Sequence, residues 1–142
     1  TVEDITLRIT RLRDFNGDLH VVPNGSVDVI TNKTFGWSNV NLNIAVSYDA
    51  DIALVQKVID EVGSSLAGDE QWAVHVIEPI AFLRVDNFGE SSVDVKALGR
   101  VEPGQQWAVA GEFRARLKKA FQKNNIEIPY PQRVMHTKHA TK

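Results

Sequence analysis

Cysteine and long apolar runs are both missing from this chain of 142 residues. Without cysteine, neither a disulfide framework nor a thiolate metal site can form. A membrane-spanning helix needs about 20 predominantly apolar residues, whereas no uninterrupted apolar run here exceeds four. The start, Thr1 to Asp4, has neither the basic leader nor the apolar core of a signal peptide. With 43% hydrophobic and 24% charged residues, the composition indicates a globular body, and the opening inside a strand pattern is typical of a fragment.

The sequence also lacks the motifs of nucleotide binding and nucleophilic catalysis. The glycines from Gly99 to Gly104 form neither a G-x-G-x-x-G fingerprint nor a P-loop that ends in Gly-Lys-Ser/Thr. Gly89, with Ser91 and Ser92 close behind it, is typical of a hairpin turn and not of a serine elbow. We therefore expect neither an enzyme nor a bound cofactor.

Two pairs of polar residues have spacings that suggest metal ligands. Asp49 and Asp51 could hold a hard cation, but an aspartate at a strand-to-helix junction also serves as an N-cap, and we predict Asp49 in that role. His136 and His139 would share a face of a helix. They follow two prolines in a polar tail, however, and an extended strand would point them to opposite faces. No metal site is expected.

Charge is distributed unevenly along the chain although the net charge is only −2. Residues 49–102 hold eleven acidic and four basic side chains, whereas residues 114–142 hold one acidic and eight basic. Helix dipoles favour acidic helix starts and basic helix ends, so this pattern is expected of solvated helices. The alternative is an electric field that acts on passing ions.

The first forty residues have a β pattern. Ile5, Leu7 and Ile9 alternate with polar residues and predict one strand from Val2 to Thr10. Asn16-Gly17 predicts a two-residue type I′ turn into a partner strand. Pro23 cannot donate to a β-ladder and should end that strand or lie at an edge. The predicted strands after the turn are Leu19 to Val22 and Val27 to Thr31.

Small β-barrels of the Sm type bind RNA, and this segment resembles half of such a barrel. Arg8, Arg11 and Arg13 would be the basic contacts. Residues 1–40 hold four basic and five acidic side chains, with no basic stripe among stacking aromatics. We therefore expect no nucleic-acid partner.

The remainder predicts the order β-α-β-β-α-β of a ferredoxin-like fold. Its strands are expected at Val40 to Val46, Ile80 to Val85, Val93 to Ala97 and Ile126 to Ile128, with a turn at Asn87 to Glu90. The first helix has apolar residues at spacings of three and four and should end at Gly68 as its C′ residue: Ile52, Val55, Ile59, Val62 and Leu66.

The second helix is predicted to begin with Pro103 at its first helical position and to close at Asn124-Asn125. Lys118, Lys119 and Lys123 complement its C-terminal end. Its predicted buried face is Trp107, Ala110, Phe113, Leu117, Ala120 and Phe121. Pro129 and Pro131 should then stop regular structure.

Three stretches occur in an order that resembles the soluble cytoplasmic part of small-conductance mechanosensitive channels. They are Val21-Val22-Pro23-Asn24-Gly25, Val46-Ser47-Tyr48-Asp49-Ala50-Asp51, and Ile126-Glu127-Ile128-Pro129-Tyr130-Pro131-Gln132. The resemblance covers residues 1–132. It departs from the family at Ala110-Gly111-Glu112-Phe113, where many relatives carry an arginine before the glutamate. The second helix is therefore expected to be locally weaker or tightly packed at Gly111.

The resemblance implies an α+β fold in three parts. These are a partial Sm-like β-domain at 1–38, a ferredoxin-like domain at 39–131 and a C-terminal strand or tail at 132–142. The implied structural motif residues are Pro23, Asn24, Gly25, Tyr48, Asp49, Asp51, Pro103, Pro129, Pro131 and Gln132. Val134 and His136 belong to the tail that is implied to join symmetry mates.

The implied function is that of a cage below the pore of a mechanosensitive channel. In the family, a homoheptamer forms this cage at the cytoplasmic face of the inner membrane, and ions and small osmolytes pass through its side openings. The membrane would be reached only through a transmembrane part outside these 142 residues. The alternative is a soluble regulatory module with a ferredoxin-like fold that binds a small molecule, with Asn87 to Ser92 as its ligand loop.

Overall fold

The computed structural model describes residues 1–133, which form two compact units: unit 1 is Thr1–Lys33, and unit 2 starts at Thr34. Two α-helices and two three-stranded antiparallel sheets make up these residues. The predicted α+β class is therefore confirmed, whereas the predicted boundaries at residues 38 and 131 stay predictions. Val134, His136 and His139 lie outside the described residues.

Unit 1 is one sheet of order β1-β2-β3, formed by β1 (Val2–Ile5), β2 (Ile9–Arg13) and β3 (Leu19–Pro23). The predicted continuous strand from Val2 to Thr10 is wrong, because the chain turns back at Thr6. The Thr6 N–H donates to the carbonyl of Ile9 at 2.9 Å, and the Thr6 hydroxyl oxygen accepts the Ile9 N–H at 3.1 Å. A threonine hydroxyl can hold such a turn where strand periodicity alone predicts continuation.

The connection between β2 and β3 is a five-residue loop, not the predicted type I′ turn. Only Gly17 has a positive φ, of 93°, whereas a type I′ turn requires positive φ at both central residues. The Asp14 carboxylate accepts the N–H groups of Asn16 and Asp18, each at 2.9 Å, and so sets the wider loop. After β3, a short 3₁₀ helix covers Asn24–Ser26. The strand predicted from Val27 to Thr31 is absent.

Unit 2 contains β4 (Ser38–Val46), α1 (Ile52–Ala67), β5 (Val76–Phe88), β6 (Val93–Val101) and α2 (Gln106–Lys123). Its sheet has the antiparallel order β4-β6-β5. The prediction of a final strand at Ile126 to Ile128 is wrong, because these residues form no strand. One backbone hydrogen bond, from the Ser47 N–H to the Glu127 carbonyl at 3.1 Å, joins this segment to the end of β4, and the Ile126 N–H donates to the Phe121 carbonyl at the end of α2 at 2.9 Å. Pro129 cannot extend a ladder.

The buried core lies entirely in unit 2, since no side chain from residue 1 to 33 is fully buried. The fully buried α1 residues Val55, Ile59, Val62 and Leu66 lie on the predicted stripe, whereas Ile52 is half-buried. Gly68 is the C-cap with a φ of −88°, so the predicted C′ position for it is wrong.

The start of α2 differs from the prediction, because Pro103 belongs to a turn. The Gln105 N–H donates to the Glu102 carbonyl at 3.1 Å, and Gly104 has a φ of 85°. Proline followed by a positive-φ glycine is typical of a type II turn. The helix therefore starts at Gln106.

The buried face of α2 also differs in part from the prediction. Trp107, placed in the core by the sequence, is 68% exposed. Val109 is fully buried instead, and Ala120 is only partly buried. Ala110, Phe113, Leu117 and Phe121 are buried as predicted.

Helix α1 packs unusually close to β5. A Cβ atom on Gly63 would lie 1.8 Å from the carbonyl oxygen of Ile80, and one on Gly99 of β6 would lie 2.8 Å from the Ile80 Cα. The Asp60 carboxylate on the same helix accepts the N–H of Phe82 at 2.8 Å. Glycine at both positions thus lets the helix and the two strands approach each other.

Candidate functional site

The first motif, Pro23-Asn24-Gly25, lies at the end of β3 in unit 1. The Asn24 side chain accepts the Thr10 hydroxyl at 2.8 Å and donates to the Thr6 carbonyl at 2.8 Å. Its backbone N–H donates to the Arg8 carbonyl at 2.9 Å. Asn24 therefore ties the end of β3 to the turn between β1 and β2. The φ of Gly25 is not positive, and a Cβ atom added to it would meet nothing within 4 Å. The conformation of unit 1 therefore does not require glycine at this position.

The second motif forms the junction between β4 and α1, and its N-cap is Asp51. The Asp51 carboxylate accepts the Ala53 N–H at 2.9 Å. The prediction of Asp49 as N-cap is wrong, because the cap must directly precede the first helical residue, which is Ile52. The Asp49 N–H instead donates to the Ser47 hydroxyl at 3.3 Å.

Tyr48 connects this junction to the turn between β5 and β6. Its hydroxyl donates to the Gly89 carbonyl at 2.6 Å. Its ring stacks on Phe88, with centroids 6.5 Å apart and planes 16° from parallel. The two loops, 41 residues apart in the chain, therefore hold each other.

The third motif is part of the exit segment, which we define as residues 126–133. Ser47 holds its start through the Glu127 carbonyl, and the Ser91 hydroxyl holds its end by accepting the Gln132 N–H at 3.1 Å. Pro129 and Pro131 between these bonds restrict the backbone and have no N–H to donate. The second and third motifs thus converge at one end of the sheet, where the β4–α1 junction and the β5–β6 turn fix the direction of the exit segment.

The loop considered as a ligand site, Asn87 to Ser92, uses its polar groups internally. The Gly89 N–H donates to the Ser92 carbonyl at 2.7 Å, and the Ser92 hydroxyl donates to the Asp94 carboxylate at 2.9 Å. Ser91 holds the exit segment. These bonds favour a structural turn, whose partners the sequence alone did not predict.

An ionic cluster joins the end of α1 to α2. Arg116 donates to the Glu112 carboxylate at 2.7 Å and to the Asp69 carboxylate at 2.8 Å. The bonds to Glu112 and Asp69 raise the pKa of Arg116. The bond to Arg116, followed by the Gln71 N–H, lowers the pKa of Asp69. Glu112 thus forms an ion pair with Arg116 although the chain has glycine at position 111. A Cβ atom added to Gly111 would meet nothing within 4 Å, which excludes the tight packing considered for this position.

Charges on the sheet are largely paired, whereas four of the five cations of α2 are in no ion pair among the described residues. Asp86 binds both Arg84 at 2.8 Å and Lys96 at 3.7 Å, and Arg100 binds Glu78 at 2.8 Å. The ion pairs found within residues 1–133 do not involve four cations of α2: Arg114, Lys118, Lys119 and Lys123. The second helix therefore carries uncompensated positive charge.

In the range 1–133, no group of three or more histidine, aspartate and glutamate side chains is placed to hold a metal ion. No helix in the same range is both long and apolar enough to cross a membrane.

Two protein families match the chain in sequence. Residues 1–35 match the beta-domain of mechanosensitive ion channels, and residues 40–128 match the C-terminal part of the mechanosensitive ion channel MscS. The matched ranges follow the order of unit 1 and unit 2.

Individual relatives match the chain over both of these ranges. A small-conductance mechanosensitive channel of Caldanaerobacter subterraneus is 32% identical over 92% of this chain and 45% of its own length. The crystal structure of Helicobacter pylori MscS in its closed state is 26% identical, with a TM-score of 0.79 over 98% of this chain and 54% of that one. Arabidopsis thaliana MSL1 shares the fold at 17% identity, with a TM-score of 0.62 over 91% of this chain and 48% of that one.

The chain thus spans about half the length of the relatives that it matches. Those relatives are channels and not enzymes, which confirms the prediction that the chain is not an enzyme. The chain belongs to the MscS family of mechanosensitive ion channels.

Proposed function

We propose that this chain is the cytoplasmic vestibule portion of a mechanosensitive channel, located below the pore at the inner membrane. The observation that carries the proposal is the match of both units, in order, to the beta-domain and C-terminal part of the family. The relatives are about twice as long as this chain. We assign the pore and the sensing of membrane tension to the further part of the complete protein.

The vestibule is a homoheptameric cage, in which Val134 and His136 belong to the tail that joins the subunits. The support lies in the exit segment, whose start and end are held at Ser47 and Ser91. A segment held in this way leaves every subunit in the same direction. Identical directions are what a closed cyclic assembly requires of its subunits.

Ions and small osmolytes reach the pore through side openings of the cage, which filter by charge and by width. The uncompensated cations of α2 support a role of charge in this filtering, because fixed charge attracts ions of opposite sign and repels those of the same sign. The paired charges on the sheet contribute less, since each cation there has a carboxylate close by.

A chimera tests this function in a protein that has its own membrane part. The matching region of Helicobacter pylori MscS is replaced by this chain and expressed in bacteria that lack their own mechanosensitive channels. We expect the chimera to purify as a heptamer and to restore survival of a sudden drop in osmolarity. A folded chimera that stays monomeric and gives no survival would contradict the proposal. A second chimera that ends at Gln132 separates the contribution of the tail from that of the two units.

A further inference from the structure

Strand β4 has an open edge along most of its length. The sheet order β4-β6-β5 leaves one side of β4 without a partner strand in the described residues. The exit segment bonds to the Phe121 carbonyl of α2 through the Ile126 N–H, to Ser47 just past the end of β4, and to Ser91. An open edge offers backbone N–H and C=O groups to another extended chain.

A groove runs beside this edge, between β4 and α2. It consists of two adjoining hollows of about 220 Å³ each, which share Arg114. One hollow extends along Asn43 to Ala45, and the other extends along Asn39 to Leu42. Leu117 and Phe121 of α2, both buried, and Ile128 of the exit segment, which borders one end, provide an apolar lining. Seven residues of β4 border the groove, so its length suits an extended peptide of about 23 Å at about 3.3 Å per residue.

The polar groups of the groove indicate the chemistry of its occupant. Arg114 and Lys118 lie in the lining, which contains no acidic side chain. The groove therefore offers two cations to carboxylates.

The spacing of the two cations fits a strand with acidic residues at alternate positions. Arg114 and Lys118 are four residues apart on α2, which corresponds to a rise of about 6 Å. Side chains on one face of a strand repeat at about 6.7 Å, which is twice the rise per residue. Two acidic side chains separated by one residue would therefore each reach one cation.

We propose that this groove binds an extended acidic segment of a partner protein, by addition of a strand to β4. Main-chain hydrogen bonds to the edge would supply affinity, and the carboxylates would supply specificity. The chain's own tail is a poor fit, because residues 134–142 carry two lysines and no acidic residue. A second copy is also a poor fit. Within the described residues, no strand has two acidic residues at alternate positions, since Glu3 and Asp4 of β1 are adjacent.

The test uses the 142-residue chain, labelled for NMR, and a blocked eight-residue peptide of alternating valine and glutamate. We expect the peptide to change the chemical shifts of residues 39–45 and of α2 only. The Arg114→Gln/Lys118→Gln double variant should bind about tenfold more weakly, since both exposed ion pairs to the glutamates are lost. The matched control is Lys119→Gln/Lys123→Gln, which removes the same charge from α2 outside the groove. It should change the affinity by less than about twofold.

A methylated peptide tests the mode of binding. A peptide with N-methyl groups on alternate residues has no N–H donors along one of its two edges, so that edge cannot donate hydrogen bonds to β4. The methylated form whose blocked edge faces β4 should therefore not bind.

Several results would overturn the proposal. One is the absence of shifts in β4 at a millimolar concentration of the acidic peptide. Another is equal affinity for a peptide in which lysine replaces glutamate, or for both N-methylated forms. Shifts in the groove that appear on raising the protein concentration alone would assign it to a second copy. Shifts in the groove on removing residues 134–142 would assign it to the tail.

Discussion

Replacement of Gly63 by alanine should strongly destabilise unit 2, because α1 contacts β5 at this glycine. The added Cβ would lie 1.8 Å from the Ile80 carbonyl oxygen, whereas ordinary contacts begin at 3.4 Å. The helix and strand must therefore separate by about 1.6 Å along this line, the difference between those two distances. Asp60 lies one helical turn from Gly63, and its carboxylate accepts the Phe82 N–H at 2.8 Å. Separation of the helix from the strand would lengthen this hydrogen bond.

The magnitude follows from three contributions. Overpacking costs about 1–3 kcal/mol, and a lost hydrogen bond to a charged group costs about 1.5–3 kcal/mol. Alanine regains at most about 1 kcal/mol of helix propensity. The expected loss of unfolding free energy is therefore about 1.5–5 kcal/mol.

Urea denaturation followed by tryptophan fluorescence measures this loss. The three tryptophans, Trp37, Trp72 and Trp107, all belong to unit 2, so the signal reports that unit. Gly111→Ala is the matched control, because an added Cβ there meets nothing within 4 Å. It should stabilise α2 by about 0.5–1 kcal/mol. A Gly63→Ala protein as stable as the parent would show that α1 and β5 accommodate the added methyl group without cost.

Three other predictions address the cap, the ionic cluster and the tail. Asp51→Ala should lower the unfolding free energy by about 1 kcal/mol through loss of the N-cap, whereas Asp49→Ala should change it little; equal losses in urea titrations would contradict the cap assignment. The pKa of Asp69 is lower folded than unfolded, mainly through Arg116, so its contribution to stability is present above the unfolded pKa and is lost as pH falls below about 4. Asp69→Asn should therefore flatten the loss of stability between about pH 5 and pH 3, and an unchanged slope in thermal unfolding at stepped pH would exclude this contribution. Truncation after Gln132 should weaken oligomers without unfolding the subunit, and an unchanged mass by light scattering with an unchanged circular dichroism spectrum would remove the tail from the assembly.

The spacing of apolar residues was enough to predict the elements in which buried positions recur at regular intervals. Val55, Ile59, Val62 and Leu66 gave α1 its stripe, and all four are fully buried. The hairpin of β5 and β6 was also predicted in place, although both strands extend further than expected. In these elements the apolar pattern and the packing agree, so the pattern was sufficient.

Elsewhere single side chains overrule the pattern. Thr6 turns the chain through its own hydroxyl, in the middle of an apolar alternation that predicts a strand. Pro103 fits both the start of a helix and a type II turn, and the positive φ of Gly104 selects the turn. Within α2, the face that packs on the sheet includes Val109 and leaves Trp107 exposed, and the apolar pattern alone did not distinguish these two residues.

The contacts of the candidate site were beyond sequence reasoning, because they join distant residues. Tyr48 and Asn24 were identified as motif residues, but their partners were not. Gly89 lies 41 residues after Tyr48, and Thr6 lies 18 residues before Asn24. Nothing in the local sequence marks Ser91 as the residue that holds the exit segment.

Current through the chimera with Helicobacter pylori MscS measures directly whether this chain serves as the vestibule of a channel. Membrane patches that contain the purified heptamer are recorded while suction raises the tension. If this chain is a channel vestibule, no current flows at rest and the channel opens as tension rises. A chimera that assembles and inserts but stays silent at every tension up to rupture of the patch would contradict the assignment of this chain as a channel vestibule.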